Sequence, residues 1–230
     1  MSVPASCEQP LNRHFLVTGL SMEFYCESMQ GNSYFLCQKY FFVSSDAISY
    51  EIKKRFPELV MGILVNWDGV AGLSVADAVG ADFVRVEHLF TGANVTSAGI
   101  LQAQCVEIAD LKKRTRSKVP IYADVYEVHG IPLGRKPVGD AAWECVHEAF
   151  ADGLFMSGKT TEEIIFMIKE ARKKVPNTPI FLGGGAKGDN IHELMQYYDG
   201  VSVATWIKNG DMKNPIDPER AKIFIQEAKR

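Results

Sequence analysis

The sequence predicts an α/β protein built on parallel strands, with a (β/α)8 barrel favoured over an open doubly wound sheet. From Pro57 onward the chain repeats one unit six times: an apolar strand, a polar loop and an amphipathic helix. Consecutive right-handed βα crossovers produce parallel strands, and both architectures meet that description. The crossovers have similar lengths and no domain break interrupts them, which favours the barrel.

The first three units are recognised by the points at which their apolar runs end. The strand Leu59–Val65 ends at the polar Asn66, the strand Asp82–Val86 ends at Glu87, and a third strand covers Pro120–Val125. Short continuous apolar runs are typical of buried parallel strands. The predicted helices after them are Val70–Val79, Ser97–Arg114 and Asp140–Phe150. The second helix is predicted from apolar residues at helical spacing: Leu101, Cys105, Ile108 and Leu111.

The last three units repeat the same alternation of apolar strand and amphipathic helix. Their predicted strands are Gly153–Met156, Pro179–Leu182 and Gly200–Ala204. Their predicted helices are Thr161–Lys174, Asn190–Tyr197 and Pro218–Lys229.

The N-terminal segment fits the repeat poorly. An eight-stranded barrel needs two more strands there, and the candidates are His14–Thr18 and Tyr40–Val43, followed by a helix over Asp46–Arg55. We therefore divide the chain into an atypical segment, residues 1–56, and a barrel body, residues 57–230. One or two N-terminal strands are degenerate or missing in this interpretation.

Composition excludes several classes of function. A net charge of −3 gives no basic surface for nucleic acid, and no apolar run approaches the length of a membrane span. Five cysteines without a CxxC pair are typical of reduced thiols. The N-terminus lacks the pattern of a secretory signal. We expect an intracellular protein, cytoplasmic in the first place and mitochondrial in the second, and a homo-oligomer is one candidate assembly.

Three consecutive glycines follow the fifth predicted strand. Gly183, Gly184 and Gly185 would let backbone N–H groups approach a phosphate, and barrel phosphate sites often use the last two strand ends. Thr205, at the end of the last strand, would supply the other half. The alternative is a plain left-handed turn between strand and helix, for which glycine is suited.

The segment Gly153–Thr160 matches the P-loop pattern GxxxxGK[ST]. Its four middle residues form the predicted apolar strand itself, whereas a P-loop wraps those residues around phosphates after a strand. We therefore do not expect a P-loop.

Polar residues mark the carboxyl ends of successive strands, which meet at one mouth of a barrel. Asp124, Glu87 and His129 are the candidate catalytic residues, because clustered carboxylates and a histidine can exchange protons. Glu87 with Asp124 could also hold a divalent cation, although we predict no metal or other cofactor. The alternatives are a structural ion pair between Arg85 and Glu87 and a loop-capping Asp124. The candidate substrate-binding residues are Asn66, Arg85, Thr91, Asn94, Ser157, Gly158, Gly184, Gly185 and Thr205.

The polar loop Thr91–Thr96 follows the second predicted strand. It could form a lid over the mouth of the barrel. The alternative is a lead-in to the next helix, with Thr96 or Ser97 as N-cap.

From about Val43 to Arg230 the chain resembles the BtpA family, through the segments GILVNWDGVAGLSVADAVGADFVRV, LFTGANVTSAGIL, IYADVYEVHGIPLG and FLGGGAKGDNIHELMQYYDGVSVAT. The resemblance implies a TIM-type (β/α)8 barrel of the ribulose-phosphate-binding kind, with its site at the carboxyl ends of the strands. It implies no particular reaction. The leading hypothesis is a metabolic enzyme, or a degenerate paralogue of one, that binds a phosphorylated sugar or nucleoside-like molecule. The alternative is a non-catalytic assembly or stability factor for a membrane or multiprotein complex, the role associated with the family's founding member.

Overall fold

The computed structural model describes residues 16–17, 47–87, 91–97, 99–126 and 128–230. In chain order its strands are β1 Leu16–Val17, β2 Gly62–Ile63, β3 Phe83–Val86, β4 Ala93–Thr96, β5 Gly99–Gln102, β6 Ile121–Asp124, β7 Ile131–Pro132, β8 Gly153–Ser157, β9 Ile180–Gly184 and β10 Gly200–Ser202. Its helices are α1 over residues 47–55, α2 Gly69–Val79, α3 Cys105–Thr115, α4 Val138–His147, α5 Thr161–Lys174, α6 Ile191–Leu194 and α7 Pro218–Lys229. A 3₁₀ turn covers Trp206–Lys208.

The order of the parallel strands is that of a barrel. They lie in the order β1-β10-β9-β8-β6-β3-β2, so the first strand among the described residues pairs with the last, Leu16 opposite Val201. A doubly wound sheet reverses its order at a switch point, whereas a barrel places its first strand beside its last. The topology therefore favours the predicted TIM-type fold. The strand predicted at Tyr40–Val43 lies outside the described residues.

Most predicted elements from Pro57 onward are confirmed, and the strand predicted at His14–Thr18 is confirmed at Leu16–Val17. Helix α5 and helix α7 have the predicted bounds. Helix α6 is shorter than predicted, because the chain turns after Leu194.

The segment after β3 differs from its prediction. The helix predicted from Ser97 begins at Cys105, because the preceding residues form the antiparallel hairpin β4–β5. This hairpin also pairs with β7 and makes a second sheet of order β5-β4-β7. Residues 93–96 therefore form a strand instead of a lid loop, and Thr96 is not a helix cap.

Alternate residues of the parallel strands face two different cores. Val84, Val86 and other aliphatic residues of the sheet pack in the large core toward the helices. Phe83, Phe155 and Phe181 form a separate cluster with Tyr122, on the opposite face of the strands. In a barrel this second face points inward, so the aromatic side chains fill its interior.

Helix α2 approaches β3 closely because two of its residues are glycines. A Cβ at Gly69 would lie 2.7 Å from Val86 Cγ1, and one at Gly72 would lie 3.2 Å from Val84 Cγ2. Asp68 caps the helix by accepting a hydrogen bond from the Ala71 N–H at 2.9 Å. These contacts fix the start of α2 against β3.

Candidate functional site

Polar side chains from neighbouring strands meet at the carboxyl end of the aromatic cluster. Arg85 of β3 lies one inward position beyond Phe83, and Asp124 of β6 lies one inward position beyond Tyr122. The pairing of β6 with β8 puts Asp124 opposite Phe155, and Ser157 ends β8. All three polar side chains are largely buried, with Asp124 and Ser157 5% and 6% exposed. They form the floor of the candidate site, at the carboxyl ends of the parallel strands.

Arg85 and Asp124 form a bidentate ion pair. The Arg85 Nε donates to Asp124 Oδ2 and the Nη2 donates to Oδ1, each at 2.7 Å. The guanidinium also lies 4.4 Å from the centre of the Phe155 ring, within cation–π range. The Arg85–Glu87 ion pair that the sequence suggested is present at a longer 3.7 Å. Both Asp124 oxygens therefore accept hydrogen bonds from a fixed cation.

The Arg85–Asp124 ion pair determines whether Glu87 and Asp124 can hold a divalent cation. A divalent cation on Asp124 would have to displace the Arg85 guanidinium from both carboxylate oxygens, so Glu87 and Asp124 do not fit a metal in this arrangement. Within the described residues, no three His, Cys, Asp or Glu side chains form a metal-binding group.

The aromatic cluster below the ion pair is densely packed. The Tyr122 ring centre lies 5.0 Å from that of Phe83 and 5.3 Å from that of Phe181. Burial, together with the charges of Asp152 and Asp199, raises the pKa of Tyr122, so its phenol stays protonated at neutral pH. The aromatic side chains therefore fill the barrel interior, and the Arg85–Asp124 ion pair lies next to them on the side of the strands' carboxyl ends.

Gly183 joins the glycine tract to this cluster. A Cβ at Gly183 would lie 2.7 Å from Arg85 Nη2 and 2.8 Å from Ser157 Oγ, so a side chain there would force these groups to shift. A Cβ at Gly184 would lie 3.4 Å from Ser157 Oγ, an ordinary contact. The end of β9 is thus directly beside the ion pair, and glycine at the first of these positions leaves room for the Arg85 and Ser157 side chains.

The backbone after β9 presents two N–H groups. Gly185 has φ +93°, and a Cβ there would lie 2.7 Å from the carbonyl oxygen of Gly158. The N–H groups of Gly185 and Ala186 donate no hydrogen bond to the part of the chain that the structure describes. Adjacent N–H groups of this kind can bind an anion.

Asn190 holds this loop in place. Its Oδ1 accepts from the Lys187 N–H at 2.8 Å, and its Nδ2 donates to the Gly185 carbonyl and to Thr161 Oγ1, each at 3.1 Å. One amide side chain therefore ties the loop after β9 to the start of α5. Sequence analysis missed this role, because asparagine before a short helix also suits a simple cap.

The structure brings some predicted residues together and leaves others apart. Arg85, Glu87, Asp124 and Ser157 form the cluster, and Gly158, Gly184 and Gly185 border it. Asn66 is exposed in the turn after β2, and His129 is exposed in the loop after β6. Thr205 is exposed where the 3₁₀ turn begins, and its carbonyl accepts from the Gly210 N–H at 2.9 Å.

The two predicted residues of the supposed lid have other surroundings. Asn94 is buried in β4, opposite Leu101. Thr91 Oγ1 lies 3.5 Å from the sulfur of Cys145, which is buried in α4. Burial raises the pKa of the Cys145 thiol from 9.0 to about 12, so it is a core residue and not a nucleophile.

The P-loop pattern has no P-loop structure. Its residues Gly153–Ser157 form β8, and every one of them is buried. The prediction against a P-loop is confirmed. Among the described residues, the structure has no helix both long and apolar enough to cross a membrane.

The fold and the position of the polar cluster define a TIM-type barrel protein whose candidate site lies at the carboxyl ends of its parallel strands. The barrel neighbours among solved structures agree. N-(5'-phosphoribosyl)anthranilate isomerase from Pyrococcus furiosus has a TM-score of 0.51 and 17% identity, over 80% of each chain. Thiamine phosphate pyrophosphorylase from the same organism has a TM-score of 0.51 and 18% identity, over 82% of this chain and 77% of that one.

The chain belongs to the BtpA family, whose model matches residues 41–230. It is 37% identical over 173 residues to an uncharacterized protein of Thermococcus kodakarensis, covering 74% of this chain and 65% of that protein. It is 34% identical over 162 residues to photosystem I biogenesis protein BtpA of Synechocystis, covering 69% and 56%. The chain thus spans less than two thirds of the length of either relative.

Proposed function

We propose that this chain binds a phosphorylated small molecule at the mouth of the barrel and is a metabolic enzyme or a degenerate paralogue of one. The observation that carries the proposal is the pair of N–H groups of Gly185 and Ala186, which lie beside a buried ionic cluster at the carboxyl end of β9. The names of the two structural neighbours add support, since the substrate or product named in each carries a phosphate.

The proposed roles differ between the loop after β9, which binds the phosphate, and the ion pair, which lies near the rest of the molecule. The phosphate lies on the backbone N–H groups of Gly185 and Ala186, beside Gly184, and on the Thr205 hydroxyl. The rest of the molecule extends toward Ser157 and the ion pair, where Glu87 and Asp124 are the acceptors nearest the chemistry. His129, on its exposed loop, would act from above as an acid or base. Asp124 supports the site by orienting Arg85.

One observation favours a second function. Arg85 occupies both oxygens of Asp124, which suits a structural ion pair as well as a catalytic one. A non-catalytic assembly or stability factor would need only the folded barrel. The name of the Synechocystis relative agrees with that role.

A thermal melt of the purified chain tests the proposal. The ligands are inorganic phosphate, ribose 5-phosphate, glucose 6-phosphate and AMP, with sulfate and chloride at equal ionic strength as controls. A ligand at one hundred times its Kd adds about 2.7 kcal/mol of stability, which raises the Tm by roughly 5–10 °C. We expect such a rise with at least one phosphate ester, and no rise beyond sulfate would overturn the proposal.

A pair of glycine variants locates the binding. Gly185→Ala forces a Cβ against the Gly158 carbonyl, whereas Gly80→Ala, at the end of α2, meets nothing within 4 Å. Both positions have positive φ, so both variants carry backbone strain. We expect only Gly185→Ala to lose the response to phosphate. Equal responses in the two variants would contradict this location of the site.

A further inference from the structure

The Ser157 hydroxyl is buried and has no hydrogen-bond partner among the residues that the structure describes. Ser157 is 6% exposed, and it ends β8 on the same inner face as Phe155, which precedes it by two residues. The buried Ser117 differs, because its Oγ accepts a hydrogen bond from the Val119 N–H at 3.3 Å. A buried polar group without a partner costs free energy, and a ligand can supply the missing hydrogen bond.

A β-bulge determines which residue of β9 lies beside this hydroxyl. Consecutive residues of β8 pair with Leu182 and Gly184, so Gly183 is an extra residue in β9. The bulge therefore brings Gly184, the residue after the extra one, opposite Ser157. Bulges are frequent next to active sites, where they change the direction of a side chain.

Gly184 leaves room beside the Ser157 hydroxyl. A Cβ at Gly184 would lie 3.4 Å from Ser157 Oγ and 3.5 Å from Ser157 Cβ, and beyond its chain neighbours it would meet no other described residue within 4 Å. The φ of Gly184 is not positive, so the backbone does not require glycine at this position. Gly184 is half-buried, so a group from outside the barrel can reach the space that its missing side chain leaves.

The space beside Gly184 adjoins the proposed phosphate site. Gly185, whose N–H is one of the two proposed phosphate donors, is the next residue in the chain. One residue of an extended chain spans about 3.4 Å. A ligand group that contacts Ser157 is therefore close to the phosphate, at a distance that suits a substituent on the carbon next to the ester carbon.

We infer that the ligand is a phosphate ester with a hydroxyl group on the carbon next to its ester carbon, and that this hydroxyl lies beside Gly184 and forms a hydrogen bond with Ser157. The inference rests on the proposed function and adds the class of ligand. A hydroxyl can donate or accept, so it can pair with Ser157 Oγ in either direction, whereas a hydrogen atom in its place leaves Ser157 without a partner.

Two pairs of matched ligands test the inference by calorimetry, with inorganic phosphate as the reference. sn-Glycerol 3-phosphate carries a hydroxyl next to its ester carbon, and 3-hydroxypropyl phosphate is the same chain without that hydroxyl. Ribitol 5-phosphate and 4-deoxyribitol 5-phosphate form a longer pair with the same difference. We expect at least one hydroxylated ester to bind about fivefold or more tightly than its deoxy partner, which is the usual net effect of one hydrogen bond.

Ser157→Ala gives the second readout. The variant lacks the hydroxyl, so it should lose the preference for the hydroxylated ester. Because that hydroxyl is unpaired in the protein, the ligand-free variant should melt no lower than the wild type. Ser117→Ala is the matched control, since it removes a buried hydroxyl that is paired. It should melt at a lower temperature and keep the preference.

Gly184→Ala gives an independent readout through the shape of the site. Its methyl group would lie 3.4 Å from Ser157 Oγ, in the space proposed for the ligand hydroxyl. We expect this variant to lose several-fold more affinity for the hydroxylated ester than for its deoxy partner. Equal losses for the two esters would contradict the proposed position of the hydroxyl.

The outcomes separate the two proposals. Deoxy esters that bind as tightly as both hydroxylated partners, or a preference that persists in Ser157→Ala, overturn the class of ligand and leave the phosphate site standing. The same holds if ligand-free Ser157→Ala melts as low as Ser117→Ala, or if inorganic phosphate binds and no ester does. Absence of binding by inorganic phosphate and all four esters overturns the proposed function, and the class of ligand with it.

Discussion

Arg85 and Asp124 join two neighbouring strands through both oxygens of one carboxylate, at a depth where Asp124 is almost inaccessible to water. Removal of one partner from such a pair leaves the other charge buried, which is more costly than loss of an exposed pair.

We therefore expect Asp124→Asn to lower the free energy of unfolding by about 3 kcal/mol. The matched control is Asp110→Asn, since Asp110 accepts from Arg114 Nε at a similar 2.8 Å on the exposed face of α3. That variant should lose less than about 1 kcal/mol. Urea denaturation of both variants measures the difference, and equal losses would contradict a structural role for the buried pair.

A second prediction concerns the two glycines at the end of β9. Gly183→Ala brings a methyl group against Arg85 and Ser157, and such overpacking costs about 1–3 kcal/mol. Gly184→Ala makes only ordinary contacts and should change stability by less. Thermal unfolding compares the two, and a more stable Gly183→Ala protein would show that the cluster can open to admit a side chain.

A third prediction concerns Asn190. Asn190→Asp retains the acceptor for the Lys187 N–H, but it replaces the donor to Gly185 and Thr161 with an oxygen that repels the Gly185 carbonyl. We expect faster hydrogen exchange at the Lys187 N–H, because the loop that holds it is no longer tied to Thr161, and a weaker response to phosphate. Asn214→Asp is the control, because that side chain donates to the Lys208 carbonyl on an exposed turn. Unchanged exchange in Asn190→Asp would contradict the positioning role.

A fourth prediction concerns alkaline pH. The thiol of Cys145 has its pKa raised from 9.0 to about 12 by burial, so the unfolded chain loses this proton first as the pH rises. The contribution of the protonated Cys145 thiol to the free energy of unfolding is fully present below pH 9 and is lost between pH 9 and 12. At pH 10 the loss is about 1.4 kcal/mol relative to pH 7.

Cys145→Ala should lack this pH-dependent loss, whatever it costs in packing at neutral pH. Cys105→Ala, at a half-buried position, is the control and should behave as the wild type. Denaturation at pH 7 and pH 10 gives the stability that each protein loses between the two pH values, and the losses of the variants are compared with that of the wild type. A wild type and a Cys145→Ala variant that lose equal stability would argue against a buried, protonated thiol.

The sequence predicts the barrel body well because buried parallel strands and their helices leave strong local patterns. Helix α5 begins after Thr160, whose hydroxyl accepts from the Glu163 N–H, and its acidic first turn and basic last turn agree with the helix dipole. Where local preference and tertiary packing point to the same element, as here, the bounds can be predicted to the residue.

The hairpin β4–β5 was not predicted because its residues also fit the helical spacing of the segment that follows. Leu101 lies at helical spacing from Cys105 and Ile108, so it extends the apparent helix backward, yet it lies in β5. The β-branched residues Val95, Thr96 and Ile100 favour strands, and in a short segment this preference outweighed the helical spacing.

The candidate site was predicted in its members but not in its pairing. Period-two spacing on β3 suggested an ion pair between Arg85 and Glu87, whereas the shorter contact crosses to β6. Which residues face each other across strands depends on register, and the sequence of one strand does not determine it. The contact between Gly183 and Arg85 depends also on the registers of β6 with β8 and of β8 with β9, so the sequence did not predict it either.

The pairing of β1 with β10 has a consequence for how the chain folds. Leu16 lies opposite Val201, so these few backbone hydrogen bonds close a loop that contains nearly every other element. Closure of so long a loop costs conformational entropy, and no local contact offsets that cost. Contacts between residues far apart in the sequence also form slowly. We expect this seam to be the last part of the sheet to form and the first to exchange its amide protons, so that the barrel has a preferred place to open.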